Sequence, residues 1–231
     1  MPEDTVGAVV PAAGLGQRLG GVNKAFAELA GQPLVAWSVD VLQGCPEVDR
    51  VALVLQEASV EEGRLLAARR GWSKVLVCAG GSRRQDSALR GLELLRPCSW
   101  IIVHDGARPL LDGAMVRRGL EAARQWGAAV AAVPVKDTIK EAGADALVVR
   151  TPDRSRLWAA QTPQVFRRDV LESAYRLAGS QEATDDASLV ERAGGRVAIF
   201  AGEEWNIKVT TPGDLLLAGL FLKERQRAKV S

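Results

Sequence analysis

A chain of 231 residues can bury one substantial core or two small ones, and 47% hydrophobic with 25% charged residues is ordinary for a globular protein. A formal charge of +2, with no concentrated run of Lys and Arg, excludes a surface built to track a nucleic-acid backbone. Cys45, Cys78 and Cys98 lack disulfide-framework or zinc spacing, the N-terminus lacks a secretory pattern, and no stretch nears the roughly 18–20 apolar residues that span a bilayer, so a cytoplasmic protein without a membrane partner is expected.

Strand-like and helix-like segments alternate along the chain. VGAVV at 6–10 is a β-branched run stopped by Pro11. Pro33–Leu42 has helical apolar spacing and opens on a proline, whose missing N–H costs nothing in a first turn. VALVL at 51–55 reads as a buried strand, Val60–Arg69 as a helix and VLV at 75–77 as a strand. Gln85–Leu95, WIIVH at 100–104, Asp112–Gln125 and AAVAAV at 128–133 continue helix, strand, helix, strand. Continuous apolar strands are expected where helices cover both faces of a parallel sheet. The pattern predicts one three-layer, Rossmann-like α/β domain over 1–231 with a mostly parallel sheet.

The rhythm breaks at Pro134. Two short extended runs, Val135–Lys140 and Leu147–Thr151, flank a Gly–Ala–Asp turn, and no crossover helix joins them. They predict a β-hairpin arm over 134–154 that leaves the main body. A lone hairpin is marginal in water, so it lies either on a second subunit or back over its own domain. Beyond it, Arg168–Leu177 reads as a helix, Thr184 is placed to cap another, GRVAIF at 195–200 reads as a strand, and NIKV as a short strand. Thr211, Pro212 and Asp214 form the start signal of a final helix: hydroxyl cap, first-turn proline, first-turn acid.

Several stretches carry chemistry. "VVPAAGLGQRLGGVNKAF" at 9–26 places Gly14 and Gly16 between a strand and a helix, where backbone N–H groups can meet phosphate oxygens. It has no Walker G-K-[ST], and Leu19 stands where a dinucleotide fingerprint needs its third glycine, which disfavours a nicotinamide dehydrogenase. Arg18 offers a planar set of donors and Lys24 a mobile point charge, both suited to phosphate. In "VHDGARP" at 103–109, Asp105 follows a buried strand at the sheet edge where ligands bind, with Arg108 three residues on. A single carboxylate suits Mg²⁺ that takes its remaining oxygens from phosphates. His104 is the only histidine, which excludes a histidine zinc cluster, and no G-x-S-x-G elbow supports a hydrolase triad. In "GGSRRQDS" at 80–87, glycines permit close backbone approach and Ser87 could bond a planar heterocycle. The same stretch also reads as a plain loop and helix start. Basic groups at several strand ends, Lys208 among them, imply phosphate at more than one place.

With "PVKDTIK", "DRSRLW", "QTPQVF", "TDDAS" and "NIKVTTPGDL" in order behind these, nearly the whole chain from Val6 to the final helix resembles the 2-C-methyl-D-erythritol 4-phosphate cytidylyltransferase family. The resemblance implies transfer of a cytidylyl group from CTP to a sugar-alcohol phosphate with Mg²⁺. Arg18, Lys24 and Lys208 would be catalytic. Ala12, Ala13, Gly14, Gly81, Ser82, Ser87, Asp105 and Gly106 would surround the nucleotide, Asp105 also near the metal. Arg108, Thr138, Arg154 and Thr184 would gather round the acceptor phosphate. It further implies a homodimer in which Thr138 and Arg154 arrive on the partner's arm. Ala25 stands where the family commonly has Gln, and Gly106 where it usually has Ala; neither removes a charge. A ribitol 5-phosphate cytidylyltransferase shares most nucleotide motifs and is the rival reading. Sugar-1-phosphate nucleotidyltransferases lack the DTIK–DR–QTPQ series. A non-catalytic nucleotide-binding dimer would not require Lys24, Asp105 and Lys208 together.

Overall fold

The computed structural model describes residues 4–14, 24–179 and 183–230, the last three of these by backbone alone. Arg18 and Gly16 lie outside the described residues. The elements are β1 (Val6–Pro11), β2 (Glu28–Leu29), β3 (Gln32–Pro33), α1 (Leu34–Gly44), β4 (Arg50–Leu55), α2 (Val60–Arg69), β5 (Val75–Ala79), α3 (Arg84–Leu94) and β6 (Trp100–Val103). They continue with α4 (Gly113–Trp126), β7 (Ala128–Pro134), β8 (Glu141–Ala142), β9 (Val148–Arg150), β10 (Trp158–Arg167), α5 (Arg168–Ala178), α6 (Asp186–Arg192), β11 (Ala198–Ala201) and α7 (Pro212–Val230).

The main sheet runs β11-β7-β10-β6-β1-β4-β5. β1 pairs in parallel with β4 and β6, β4 with β5, and β7 with β11. Alternation along the strands divides the core between the two faces. Val6, Ala8 and Val10 of β1 and Val51, Leu53 and Leu55 of β4 pack with Val35, Val39 and Leu42 of α1 and with Met115 and Leu120 of α4. Val9, Ala52 and Val54 face the other way, towards Leu92 of α3, Leu171 of α5 and Leu189 of α6. Both faces are apolar because both are covered, and the three-layer α/β architecture follows.

β10 was not foreseen. It is antiparallel to both neighbours, β6 and β7, and so interrupts the parallel order at the middle of the sheet. Its sequence hides it, because Gln161, Thr162, Pro163 and Gln164 interrupt the apolar run. The ladder shifts register between Ala160 and Gln164, which leaves Pro163 outside the pairing it could not donate to.

Four boundaries differ from expectation. Pro33 occupies the N-cap of α1 (φ −57°, ψ 138°) and not its first turn. Asp185 caps α6, its side chain accepting from Ser188 N at 3.0 Å, so Thr184 is left outside the helix. Residues 206–209 form no strand; Val209 N donates to Ala107 O at 2.8 Å and ties that segment to the loop after β6. The hairpin pairs only β8 with β9, a shorter ladder than the runs suggested. The final helix begins as read: Asp214 Oδ2 accepts from Thr210 and Thr211 N, while Asp214 N donates to Thr211 Oγ1 at 3.2 Å.

Candidate active site

Two cavities open at the carboxyl ends of β1, β5 and β6, the sheet edge where open α/β folds take ligands. The first, about 200 Å³, is lined by Ala12, Ala13 and Gly14 after β1, Lys24, Gly81, Ser82 and Ser87 after β5, and Asp105 and Gly106 after β6. The second, about 190 Å³, is lined by Arg108, Gln161, Thr162, Thr184 and Asp185. Arg84, Asp105 and Lys208 line both, so the cavities share one wall.

The first cavity exists because two loops press together. A Cβ at Gly80 would come within 2.6 Å of both Ala13 Cβ and Ser87 Oγ, so only glycine permits this approach. Gly80 N donates to Leu55 O at 2.6 Å and Ala12 N to Val54 O at 2.7 Å, seating both loops on β4. Ser87 is buried, and its hydroxyl accepts from Gly81 N at 3.1 Å and donates to Arg83 O at 3.2 Å. The hydroxyl therefore shapes the loop that lines the cavity. Ser82 Oγ donates to Asp86 at 3.1 Å, and the bonds from Arg83, with a smaller part from Ser82, hold the Asp86 carboxyl down to about 2. Gly106 also marks a close approach: a Cβ there would lie 2.9 Å from Ala12 Cβ and 3.2 Å from Val35.

The shared wall is an ion-pair cluster. Asp105 Oδ2 meets Lys208 Nζ at 2.8 Å and Arg108 Nε at 3.8 Å, while Oδ1 receives Arg84 at 3.3 Å. Burial alone would raise the Asp105 carboxyl, but Arg84, Lys208 and Arg108 outweigh it and hold it well below the usual carboxylate range. Burial lowers Arg108, against the pull of Asp105. Arg108 Nη1 donates to Asn206 O at 2.6 Å, and its Nε has no hydrogen-bond acceptor among the described residues. A guanidinium on a cavity wall suits an anionic ligand.

Behind the wall stands His104, fully buried. Asp105 N donates to Thr162 Oγ1 at 3.0 Å, Thr162 Oγ1 lies 3.1 Å from His104 Nδ1, and His104 Nε2 lies 3.0 Å from Arg108 O. The carbonyl can only accept, so Nε2 carries the proton and Nδ1 accepts from the threonine. Burial pushes the imidazole down to about 4. This geometry gives His104 a structural place. It fixes the loop that carries Asp105 and Arg108.

The structure thus brings together Ala12, Ala13, Gly14, Lys24, Gly81, Ser82, Ser87, Asp105, Gly106, Arg108, Thr184 and Lys208. Thr138 and Arg154 are exposed at the arm and line neither cavity of this chain; Arg154 Nη1 donates to Lys136 O at 2.7 Å. Arg84 escaped sequence reasoning: of the paired arginines in GGSRRQDS, Arg83 turns to Asp86 and Arg84 turns inward. Only the tertiary placement of Asp105 and Asp186 separates the two.

The donor set bears on a metal as well. Asp105 is the one carboxylate among the described residues lining the first cavity, and no cluster of three or more His, Cys, Asp or Glu occurs among the described residues. This fits a hard cation held chiefly by phosphate oxygens, and it does not fit an all-protein cage.

A family model described as IspD: 2-C-methyl-D-erythritol 4-phosphate cytidylyltransferase matches residues 6–224. A protein of that enzyme name from Dehalococcoides mccartyi (strain 195) is 49% identical over 222 residues, covering 96% of this chain and 97% of the relative. One from Symbiobacterium thermophilum is 45% identical over 227 residues, covering 96% and 94%. Among solved structures, 4-diphosphocytidyl-2C-methyl-D-erythritol synthase from Anaerococcus prevotii superposes with a TM-score of 0.84 at 27% identity, covering 95% of this chain and 98% of that one. The 2-C-methyl-D-erythritol 4-phosphate cytidylyltransferase of Thermus thermophilus gives 0.78 at 32% identity, covering 94% and 98%.

Proposed function

The chain belongs to the 2-C-methyl-D-erythritol 4-phosphate cytidylyltransferase family, and on that premise we propose how its paired cavities join CTP to methylerythritol 4-phosphate with release of pyrophosphate. The observation that carries the reading is the wall of Arg84, Asp105 and Lys208 common to both cavities. Two anionic substrates on either side of it meet across a net positive boundary.

The nucleotide occupies the first cavity, its triphosphate on the loop after β1 with Lys24 and Arg18, its base near the GGSRR loop. The acceptor phosphate occupies the second, against Arg108 and Thr184. An oxygen of that phosphate attacks the α-phosphorus of CTP in line; the new P–O bond forms as the α–β bridge breaks, and pyrophosphate leaves with the electron pair. A phosphate monoester is already ionised near neutral pH, so no general base is required. His104 is fully buried and lines neither cavity, in keeping with a chemistry that does not call on it. The work is positioning two polyanions and offsetting charge at the reacting phosphorus, which Lys24, Arg18 and Lys208 supply. Mg²⁺ carried on the triphosphate, with Asp105 as its protein-side carboxylate, would neutralise phosphate charge.

The arm's exposed Ile139, Leu147, Val148 and Val149, with Trp158 of β10 beside its base, support a partner surface, and a homodimer would let the partner subunit's arm deliver its threonine and arginine to this chain's acceptor cavity. Nothing in the cavities favours ribitol 5-phosphate, and the relatives reported above are named for methylerythritol phosphate.

The test is pyrophosphate release with Mg²⁺, each of the four nucleoside triphosphates, and the two alcohol phosphates offered separately. CTP with methylerythritol phosphate should be strongly preferred. Equal rates with all four nucleotides, or preference for ribitol 5-phosphate, would overturn the assignment.

A further inference from the structure

Arg84 has no assigned part in that reaction, yet it ties the site to the body of the protein. Its Nη1 donates to Asp186 Oδ2 at 2.8 Å, and its Nε and Nη2 reach Asp105 Oδ1, each at 3.3 Å. Asp186 is fully buried, lines neither cavity, and accepts the Tyr175 hydroxyl at 2.6 Å on its other oxygen. It opens α6, directly after Thr184 and Asp185 at the rim of the second cavity. A carboxylate this deep needs a cation, and leaving either member of such a pair alone is costly. The planar fork of a guanidinium can meet two carboxylates at once in a fixed relation, which an ammonium cannot.

We propose that Arg84 is a positioning residue: braced by Asp186, it fixes Asp105 in the orientation that receives Lys208, and so places the cation that faces both substrates. The chain of contacts runs from the α6 terminus through the first turn of α3 and the loop after β6 to the segment at 206–209. It links the frame of the acceptor cavity to the reacting centre. This rests on the reaction proposed above, and its test separates the two.

Asp186→Asn changes a group that lines neither cavity, and Arg84 is the cavity-lining side chain that it holds directly. The turnover number should fall about tenfold or more while KM for CTP stays within about threefold, the pattern of an interaction made in the transition state. Tyr175→Phe removes the other hydrogen bond on Asp186 but leaves the ion pair. It should lower Tm while the turnover number stays within about twofold. If both variants lose turnover in step with their loss of Tm, Asp186 is merely structural and the proposal is wrong. Should Asp186→Asn not fold, Arg84→Lys keeps the charge and loses the fork: unchanged turnover overturns the proposal, and a loss of about tenfold upholds it. A readout free of turnover is the Arg84 Nη1 proton resonance, the donor to Asp186, which should exchange slowly in the parent and quickly in Asp186→Asn or, where that variant does not fold, in Asp186→Glu. Persistence of slow exchange overturns the brace even if the parent proves inactive with CTP, a result that would instead sink the proposed reaction.

Discussion

The single histidine makes one prediction unusually clean. His104 is fully buried, and its imidazole is pushed down to about 4 from an ordinary 6.5 by burial. In the folded state Nδ1 accepts the Thr162 hydroxyl, so a proton there would both charge a dry site and remove the acceptor of the hydroxyl whose oxygen seats Asp105 N. The unfolded chain binds that proton more readily than the folded one between the two values. Stability therefore rises with pH across this window: it is fully present above about 6.5 and is lost as pH falls towards about 4. A separation of this size corresponds to about 3 kcal/mol in full, of which about 2 kcal/mol is gone by pH 5. Asp105 is held well below the usual carboxylate range, so its own contribution is lost only at more acid pH. Urea unfolding at pH 7.5, 6 and 5 should show the decline, and His104→Asn, less stable at pH 7.5, should lose most of the slope. With one histidine in the chain, its imidazole resonance is unambiguous. A midpoint near 6.5 in the folded protein, or an equal slope in the variant, would refute the reasoning.

The Cβ of Gly106→Ala would lie 2.9 Å from Ala12 Cβ. It should displace the loop after β1, cost about 1–3 kcal/mol in thermal or urea unfolding, and raise KM for CTP. Lys208→Ala should lower the turnover number by at least about two powers of ten in the pyrophosphate assay, since it removes a charge from the shared wall. Excess chelator should abolish turnover, measured by the same assay with and without restored Mg²⁺. On the proposed homodimer, Lys24→Ala and Arg154→Ala should each be nearly inactive, and subunit exchange should restore up to about half the parental rate per mixed dimer; exchange verified by mass without recovery would place Arg154 on its own chain's site.

How much of this was legible in the sequence depended on whether the signal was local. The parallel strands β1, β4 and β6 were readable because each is an unbroken apolar run, and α4 because Asp112 caps it and Gly127, at φ +84°, ends it. β10 was not, because its identity comes from the neighbours it lies between and its centre is polar. Gln161 and Gln164 are buried there only because partners wait for them: Glu203 O for the one, Asp185 for the other. Thr184 looked like a cap because threonine caps helices, yet Asp185 one step later holds Ser188 N and leaves the threonine to the cavity. Asp105 and Lys208 were legible as chemistry but not as partners, being more than a hundred residues apart in the chain and 2.8 Å apart in space. Arg84 was invisible for the same reason.

That last pairing bears on how the site can be stable before any substrate arrives. Arg84, Arg108 and Lys208 converge on one place, and three cations so close repel one another while burial penalises each. Asp105 touches all three and supplies the compensating charge; Asp186 supplies more from behind. The wall remains net positive, so phosphates on either side are attracted without first having to assemble it. Lys208, with its side chain 42% exposed, is held less deeply than Arg108 at 12%. The lysine is thus the member of the cluster able to turn from Asp105 towards a phosphate, while the two guanidinia keep the carboxylate in place. Preorganised charge of this kind costs little reorganisation at the moment of reaction, which is where electrostatic catalysis gains over water. Asp105 therefore does two compatible things: it holds the cations apart from one another in the free protein, and it yields one of them to the substrate.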